Sequence, residues 1–456
     1  MSAPTTAPVT PGAGTQRFSF TAPVAAFRNP LKPLPEQPVV QADGGKDVRL
    51  TQGYAEAIVS ANGTAQGKSY PNLLQYLCRD PNSPSWSLQP FAGGGNLCNG
   101  AVVIAQVPGR PPSTINCAWI DNNGAFRMAS MTGQQTWSGA TSPPNPTAYP
   151  NKYDPAKWNR ELSHLQVAYT PAQANGRGRN PILYATQSDT YLVTVRWTPH
   201  GLLTTVYEGL GGGLPYNDLT LVPLDESNFA LIANVTGSSD LGLWIGTYGA
   251  SRMPRASCFS GNPSGSGSGT LRQIAGGALS PAIIDDSSGN PDPSASVCAF
   301  YTDSDNGLLA WPASQSRCSP VPTVSPATGL VASTLSGSGS RSNLYLVDGS
   351  NAIWLLHQLL WTMDGKEPFF APPSQVRSGG AGLGVSVLAS VQHPAELPAL
   401  FVVREDGTLA LYQLDDDGGR LTHSGDQAAY GADQWSGGPL ILANKQPFKI
   451  DTRSYA

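Results

Sequence analysis

The chain is poor in charge. Asp, Glu, Lys and Arg make up 13% of its 456 residues, the formal net charge is −4, and Lys and Arg form no run. Binding to nucleic acid by phosphate neutralisation needs several cations on one face, so that class of partner is set aside. Long apolar runs are missing too. None approaches the roughly 18–20 residues that a membrane-spanning helix requires, and no transmembrane segment is expected. Apolar residues at a 3.6-residue period are almost absent. The one helix-like run, Leu355–Leu360, is too short to stand alone. Residues 1–16 are rich in Pro, Thr and Ala but have no apolar centre, so they do not read as a secretory signal as written.

Catalytic and cofactor motifs are equally scarce. No Gly-x-Ser-x-Gly elbow occurs. The glycine-rich stretch Gly209–Gly213 is not followed by Lys-Ser/Thr and reads as a loop, not a phosphate cradle. The six cysteines show no C-x-x-C spacing, and no second His or Cys lies at ligand spacing from His164. No metal and no cofactor is expected.

Turn formers and short strands are abundant, with 50 Gly and 41 Pro. One unit recurs: an apolar strand, a polar loop often containing Pro, a second strand, a tight Asp/Asn/Gly/Ser turn, and a third strand. The clearest copy is AVVIAQ from Ala101, then INCAWI, the turn Asp121-Asn122-Asn123-Gly124 and AFRMAS. A fifth copy runs PAIIDD, SVCAFY, the turn Asp303–Gly307 and LLAWPA. The last runs VSVLASV, ALFVV, Glu405-Asp406-Gly407 and TLALYQL. First strands are expected near residues 54, 101, 163, 218, 281, 329 and 385, with diverged turns near Asn82, Ser188, Ser238 and Gly349. Asx-Gly turns between alternating strands are strong hairpin signals, because their residues tolerate positive φ.

Hairpins repeated about every 55 residues, with no helices between them, predict an all-β chain folded as a single β-propeller. Residues 1–37 read as a Pro-rich N-terminal tail or arm and 38–456 as the propeller domain. About seven blades are expected, closed by strands from the two termini. The candidate closing strands are PLILA from Pro439 at one end, and Val39-Val40 with Val48-Arg49-Leu50 at the other. If both ends together build a further blade, the count is eight.

Cys117 and Cys298 share a motif, Cys-Ala followed by an aromatic, and fall in one column of the repeat as buried strand positions. Cys78 with Cys98, and Cys258 with Cys318, are candidate disulfides, although spacing cannot fix connectivity. The even cysteine count, with sequons at Asn62-Gly63-Thr64 and Asn234-Val235-Thr236, suits a secreted, extracellular setting.

Candidate binding residues are few. His164 lies in an expected innermost strand, where it could face the channel. The acidic runs Asp415–Asp417 and Asp285, Asp286, Asp292 read as solvated turns, since the first lacks the distal ligand of a calcium loop. Trp-Ser-Gly follows the third strand at Trp137 and at Trp435. An indole there can stack on a sugar or lock two blades together. Arg127, three residues after the turn glycine, is within reach of Trp137 if the hairpin is regular.

Strand, Asx-Gly turn, Gly-x-x-Arg and a later Trp-x-Gly together resemble the blades of fungal and bacterial fucose-specific lectins. Gly124-Ala125-Phe126-Arg127 and Trp137 carry the resemblance in one repeat. Other repeats place Ala310, Ala410 and Trp354 near the Arg position, and Trp435 stands without its Arg. The resemblance implies a propeller with sugar pockets between blades, each using an Arg, a Glu and an aromatic.

Three functions follow from a propeller with so few motifs. The first is a non-catalytic, lectin-like binder of carbohydrate at blade edges, with a glycan partner. The second is a structural or interaction subunit with a protein partner, since fold does not dictate function. The third is a cyclase-type enzyme that works by confinement in an axial cavity, which needs few ionisable groups.

Overall fold

The computed structural model covers most of the chain between Gln16 and Asn444. Residues 1–15, 445–456 and the longer loops lie outside the described residues, among them 172–179, 209–215, 259–270, 280–287, 313–318, 321–330, 333–342, 391–398 and 415–434. The chain is an all-β propeller. Among the described residues, seven antiparallel sheets of four or five strands follow one another in chain order, with one separate hairpin lying between the first and second strands of sheet 1. Sheet 1 is Ser19–Pro33, Gly53–Ala65, Lys68–Arg79 and Trp86–Pro90. Sheet 2 is Val102–Val107, Thr114–Ile120, Phe126–Gly133 and Thr136–Trp137. Sheet 3 is Leu162–Tyr169, Pro181–Gln187, Tyr191–Thr198 and Gly201–Tyr207. Sheets 4 to 7 begin at Tyr216, Leu271, Val331 and Val385.

Both faces of every sheet are apolar, and this drives the ring. Along Thr114–Ile120, Ile115, Cys117 and Trp119 pack against sheet 1, while Ala118 and Ile120 pack against sheet 3. Strands buried on both faces read as continuous apolar runs, as this one does. Each successive pair of sheets shares a core cluster, and sheet 7 shares one with sheet 1 through Phe401, Leu409, Phe20 and Val24. The first strands of successive sheets touch one another around the ring, and that of sheet 7 returns to that of sheet 1.

Hairpin tips pin neighbouring sheets together. The carbonyl of Gly124 accepts the Leu162 N–H at 3.0 Å, and that of Gly407 accepts the Phe20 N–H at 2.9 Å. Ser350 accepts the Gly380 N–H in the same way, just before sheet 7. Gly124 has φ +70°, and a Cβ there would stand 2.9 Å from the Glu161 nitrogen. Glycine is needed on both counts.

Several expectations change. Ser19–Pro33, expected inside the N-terminal arm, is the first strand of sheet 1, so the strand at Gly53 is second. The first strand accommodates Pro23, Pro30 and Pro33 because it is an edge strand of its sheet and bulges between Thr21 and Val24 and between Arg28 and Pro33. Sheet 5 starts with Leu271–Leu279, ten residues before the expected PAIIDD, which lies outside the described residues. Leu355–Leu360 belongs to the strand Ile353–Trp361.

Closure also differs. Trp435–Leu440 is the last strand of its own sheet 7, and Val39–Ala42 pairs with Lys46–Arg49 as a separate hairpin. Among the described residues, strands of the two ends pair where Gln16–Arg17 meets Ala443–Asn444. The first and last sheets are each complete from contiguous sequence, so the ring closes by packing rather than by exchange of strands.

Cys117 and Cys298 are both buried in second strands, but on opposite faces. Cys117 looks back to sheet 1 and Cys298 forward to sheet 6. The turn aspartate is four residues after the first and five after the second, and a one-residue offset flips the face. Cys78 and Cys98 are buried thiols, not a disulfide. Cys318 lies outside the described residues, as does the side chain of Cys258.

Two measurements check this packing. Gly124→Val is expected to lower unfolding free energy by roughly 1–3 kcal/mol, because it forces a side chain into left-handed backbone. Gly139→Ala, where an added Cβ meets nothing within 4 Å, should stay within about 0.5 kcal/mol of the parent. Equal losses at the two positions would contradict the pin. Burial pushes the Cys98 thiol up to about 12. Cys78, Cys98, Cys117 and Cys298 should therefore resist iodoacetamide in the native protein and react only in denaturant.

Candidate functional site

The turn aspartates organise the hairpin tips. Asp121 Oδ1 accepts the N–H groups of Asn123 at 2.9 Å and Ala125 at 3.0 Å, and Oδ2 accepts Arg127 Nε at 2.8 Å. Asp348 repeats the scheme in sheet 6. Its Oδ1 accepts the N–H groups of Ser350 and Ala352, and Oδ2 accepts Trp354 Nε1 at 2.8 Å. Trp354 thus holds the position of Arg127 and makes the same contact. An indole N–H satisfies the aspartate but leaves no further donor.

In sheet 2 the donor is a guanidinium, and it faces a polar junction. Arg127 Nη1 donates to Ser142 Oγ at 3.2 Å, and among the described residues Nη2 has no hydrogen-bond partner. The side chain is 38% exposed. Asn159 closes the junction from the sheet 3 side. Its Oδ1 accepts the Phe126 N–H at 2.6 Å, and its Nδ2 donates to Phe126 O and Ser142 Oγ, each at 3.3 Å. Glu161 lies against the tip glycine. Its carboxylate accepts Ser188 Oγ, and its backbone carbonyl accepts the Ser188 N–H at 3.1 Å. His164 is exposed, with Nδ1 held at 3.0 Å from Thr186 Oγ1 and 3.2 Å from Ser163 Oγ.

The backbone here is unusual. Asn159, Glu161, His164 and Ser188 all have left-handed φ, between 46° and 60°. Each such residue costs on the order of 1–3 kcal/mol unless its surroundings hold it. A β-bulge between Ser163 and Gln166 accompanies the turn of His164 to solvent. The connection from sheet 2 into this corner is held down as well. Pro143 and Pro146 are buried three residues apart, a polyproline-type spacing that docks one ridge. Tyr149 stacks on Tyr153, whose hydroxyl donates to Gln187 Oε1 at 2.6 Å. Gln187 Nε2 in turn donates to the carbonyls of Lys157 and Arg160.

Of the residues expected from sequence, Arg127 stands at the junction of sheets 2 and 3 through Ser142 and Asn159, whereas His164 lies on the first strand of sheet 3 and bonds within that sheet. Trp137 is elsewhere. It pairs with Met131, four residues along the strand from Arg127, or about 13 Å at the usual rise. Its ring packs edge-on against Phe27, Tyr76 and Phe91. It locks sheet 2 to sheet 1. Trp435 opens the last strand of sheet 7, opposite Leu414, far along the chain from either partner. Asn159 and Glu161 carried no signal in the sequence beyond their polarity, and Ser188 was legible only as a turn position.

Among the described residues, no group of three or more His, Cys, Asp or Glu could hold a metal ion. The run Asp415–Asp417 lies outside them. No helix of the described residues is long and apolar enough to cross a membrane.

No family model matches this chain. No curated protein matches its sequence. Its structure is similar to solved lectins. A lectin from Burkholderia pseudomallei shares 13% identity at a TM-score of 0.47, over 94% of this chain and 100% of that one. A fucose-specific lectin from Aleuria aurantia shares 13% identity at 0.40, over 76% and 96%. AofleA from Arthrobotrys oligospora shares 12% at 0.43, over 77% and 89%. The Aleuria fold is described as a six-bladed β-propeller.

The aspartate tips predict a response to acid. Burial raises Asp348, but its donors Ser350, Trp354 and Ala352 outweigh this and hold it below its ordinary 3.8. The stabilisation is therefore present above the unfolded pKa and is lost as pH falls through the lower, folded value. The Asp348 carboxyl should titrate below 3.8 by NMR. The Trp354 indole N–H should exchange faster in the same pH window, and not at neutral pH.

Proposed function

We propose that the protein is a non-catalytic, carbohydrate-binding propeller that holds sugar hydroxyls at the junction of sheets 2 and 3. The observation that carries this is Arg127. Its fork is fixed by Asp121 and Ser142, and one nitrogen is left to bond outward beside Asn159, at the tip whose glycine Glu161 abuts. Adjacent sugar hydroxyls each give and take hydrogen bonds, so planar groups of both kinds at one place suit them. With Arg127 countered by Asp121 and Glu161 nearby, the junction does not select for an anion such as phosphate. The supporting network keeps these groups in place before any ligand arrives, which lowers the ordering cost of binding. Trp158, half-buried against the core shared by sheets 2 and 3, is the indole nearest Asn159 in sequence.

Glycan-array screening, with fucosylated glycans among the probes, tests the reading. Arg127→Ala is expected to weaken binding roughly 10- to 100-fold, the worth of a charge-assisted hydrogen bond of about 1.5–3 kcal/mol. Arg127→Lys should lose most of that as well, because an ammonium cannot hold Asp121 and Ser142 while bonding outward. Absence of binding to every glycan, or binding that ignores Arg127, would refute the proposal.

A further inference from the structure

The buried crevice between sheets 1 and 2 holds a polar cluster that the sugar site does not use. Asn29 and Lys32 lie on the bulged end of Ser19–Pro33, and Glu56 on the adjacent strand, opposite Phe27. The three side chains are 0–1% exposed. One carboxylate bridges the other two: Glu56 Oε1 accepts Lys32 Nζ at 2.7 Å, and Oε2 accepts Asn29 Nδ2 at 2.8 Å. The Asn29 amide is oriented from both ends. Its Oδ1 accepts the Leu31 N–H at 3.0 Å, and Nδ2 also donates to Gln134 O at 2.9 Å. Tyr76 donates its hydroxyl to Glu56, and the rings of Phe27, Tyr76 and Trp137 pack around the group.

An ion pair this deeply buried has lost the hydration of both charges, which their mutual attraction must offset. Burial raises Glu56 above the ordinary carboxylate range, against the opposing pull of Lys32. Proton transfer from Lys32 to Glu56 relieves both costs and leaves a neutral amine. A desolvated neutral lysine is a nucleophile. The Asn29 amide shares the Glu56 carboxylate with Lys32 and offers an electrophilic carbon, its carbonyl already polarised by the Leu31 N–H.

We propose that Lys32 and Asn29 become joined by an intramolecular isopeptide bond, with Glu56 shuttling the protons. Nζ gives a proton to Oε1 and attacks Cγ of Asn29, forming the Nζ–Cγ bond. The Cγ–Nδ2 bond breaks. Glu56 delivers one proton to the departing Nδ2 from its Oε2 side and takes one from Nζ on its Oε1 side. Ammonia leaves, and a neutral secondary amide and a protonated Glu56 remain. Nothing is oxidised or reduced, and no further reactant is needed. The new amide N–H keeps the acceptor that Nζ already uses, the Arg79 carbonyl at 2.9 Å. The linkage spans only residues 29 to 32, so little loop entropy is removed. Its main effect is to discharge a buried ion pair where Gln134 and Trp137 of sheet 2 dock on sheet 1.

Intact-mass measurement of the full chain, denatured after purification, tests this directly. The expected mass is one ammonia below that of the sequence. A peptide spanning Arg28–Pro33 should carry the deficit, and fragment ions that separate Asn29 from Lys32 should be missing. Lys32 should also fail to acylate in denaturant. Full sequence mass with an acylable Lys32 would overturn the proposal. So would an ammonia deficit that maps to an Asn-Gly step such as Asn62-Gly63 or Asn123-Gly124. Glu56→Gln should keep both side chains free and restore full mass. A Glu56→Gln chain that is still linked would remove Glu56 from the reaction. Because the readout is taken in denaturant and the parent chain decides it, poor folding of the variant does not blunt the test.

Discussion

A sheet that is apolar on both faces cannot terminate a structure; it needs a neighbour on each side. Thr114–Ile120 shows the constraint at its plainest, with Trp119 and Cys117 turned to sheet 1 and Ala118 and Ile120 to sheet 3. Every sheet here repeats the demand, and only a closed ring meets it without leaving two apolar faces in water. Closure comes from Phe20 and Val24 of sheet 1 against Phe401 and Leu409 of sheet 7. At about 1.5–3 kcal/mol per buried large side chain, that interface is as necessary as any other in the ring.

The hairpin tips connect this packing to the site. The Asp-centred turn brings its glycine carbonyl out to the next sheet, and the glycine's lack of a side chain sets how near the next strand can come. At Gly124 that approach places Glu161 and the start of Leu162–Tyr169 beside Arg127. The tip in sheet 6 has the same aspartate and the same contacts, yet Trp354 stands where the guanidinium would be. The scaffold is repeated and the chemistry is not. One donor exchanged at one strand position separates a tip with an outward-facing nitrogen from a tip that is internally satisfied.

The low charge of the chain has a structural counterpart. Among the described residues only two ion pairs occur, Lys32–Glu56 in the crevice and Arg127–Asp121 at the tip. The first is wholly buried and every atom of its carboxylate is engaged. The second is half in water and keeps a free nitrogen. Burial makes the first a local reactive or stabilising device, whereas exposure makes the second available to a ligand.

Much of the ring was legible in the residues themselves. Two-residue alternation and Asx-Gly turns are local signals, so the strands from Val102, Leu162, Tyr216, Val331 and Val385 stand close to where they were expected. Ser19–Pro33 was hidden by its prolines and Leu271–Leu279 by its run of Gly and Ala, both of which an innermost strand can carry. Arg127 was visible as a residue type, but its neighbours Ser142 and Asn159 were not. Trp137 was expected beside Arg127 and instead locks two sheets, because four residues of extended strand separate them. Hairpins and the need to bury two faces were thus settled by sequence alone, since both depend on adjacent residues. Tertiary structure decided which face each strand residue takes, as the opposite directions of Cys117 and Cys298 show, because a one-residue offset reverses a strand. It also decided which distant side chains meet at the tip of Gly124, because that meeting depends on how closely the next sheet can approach.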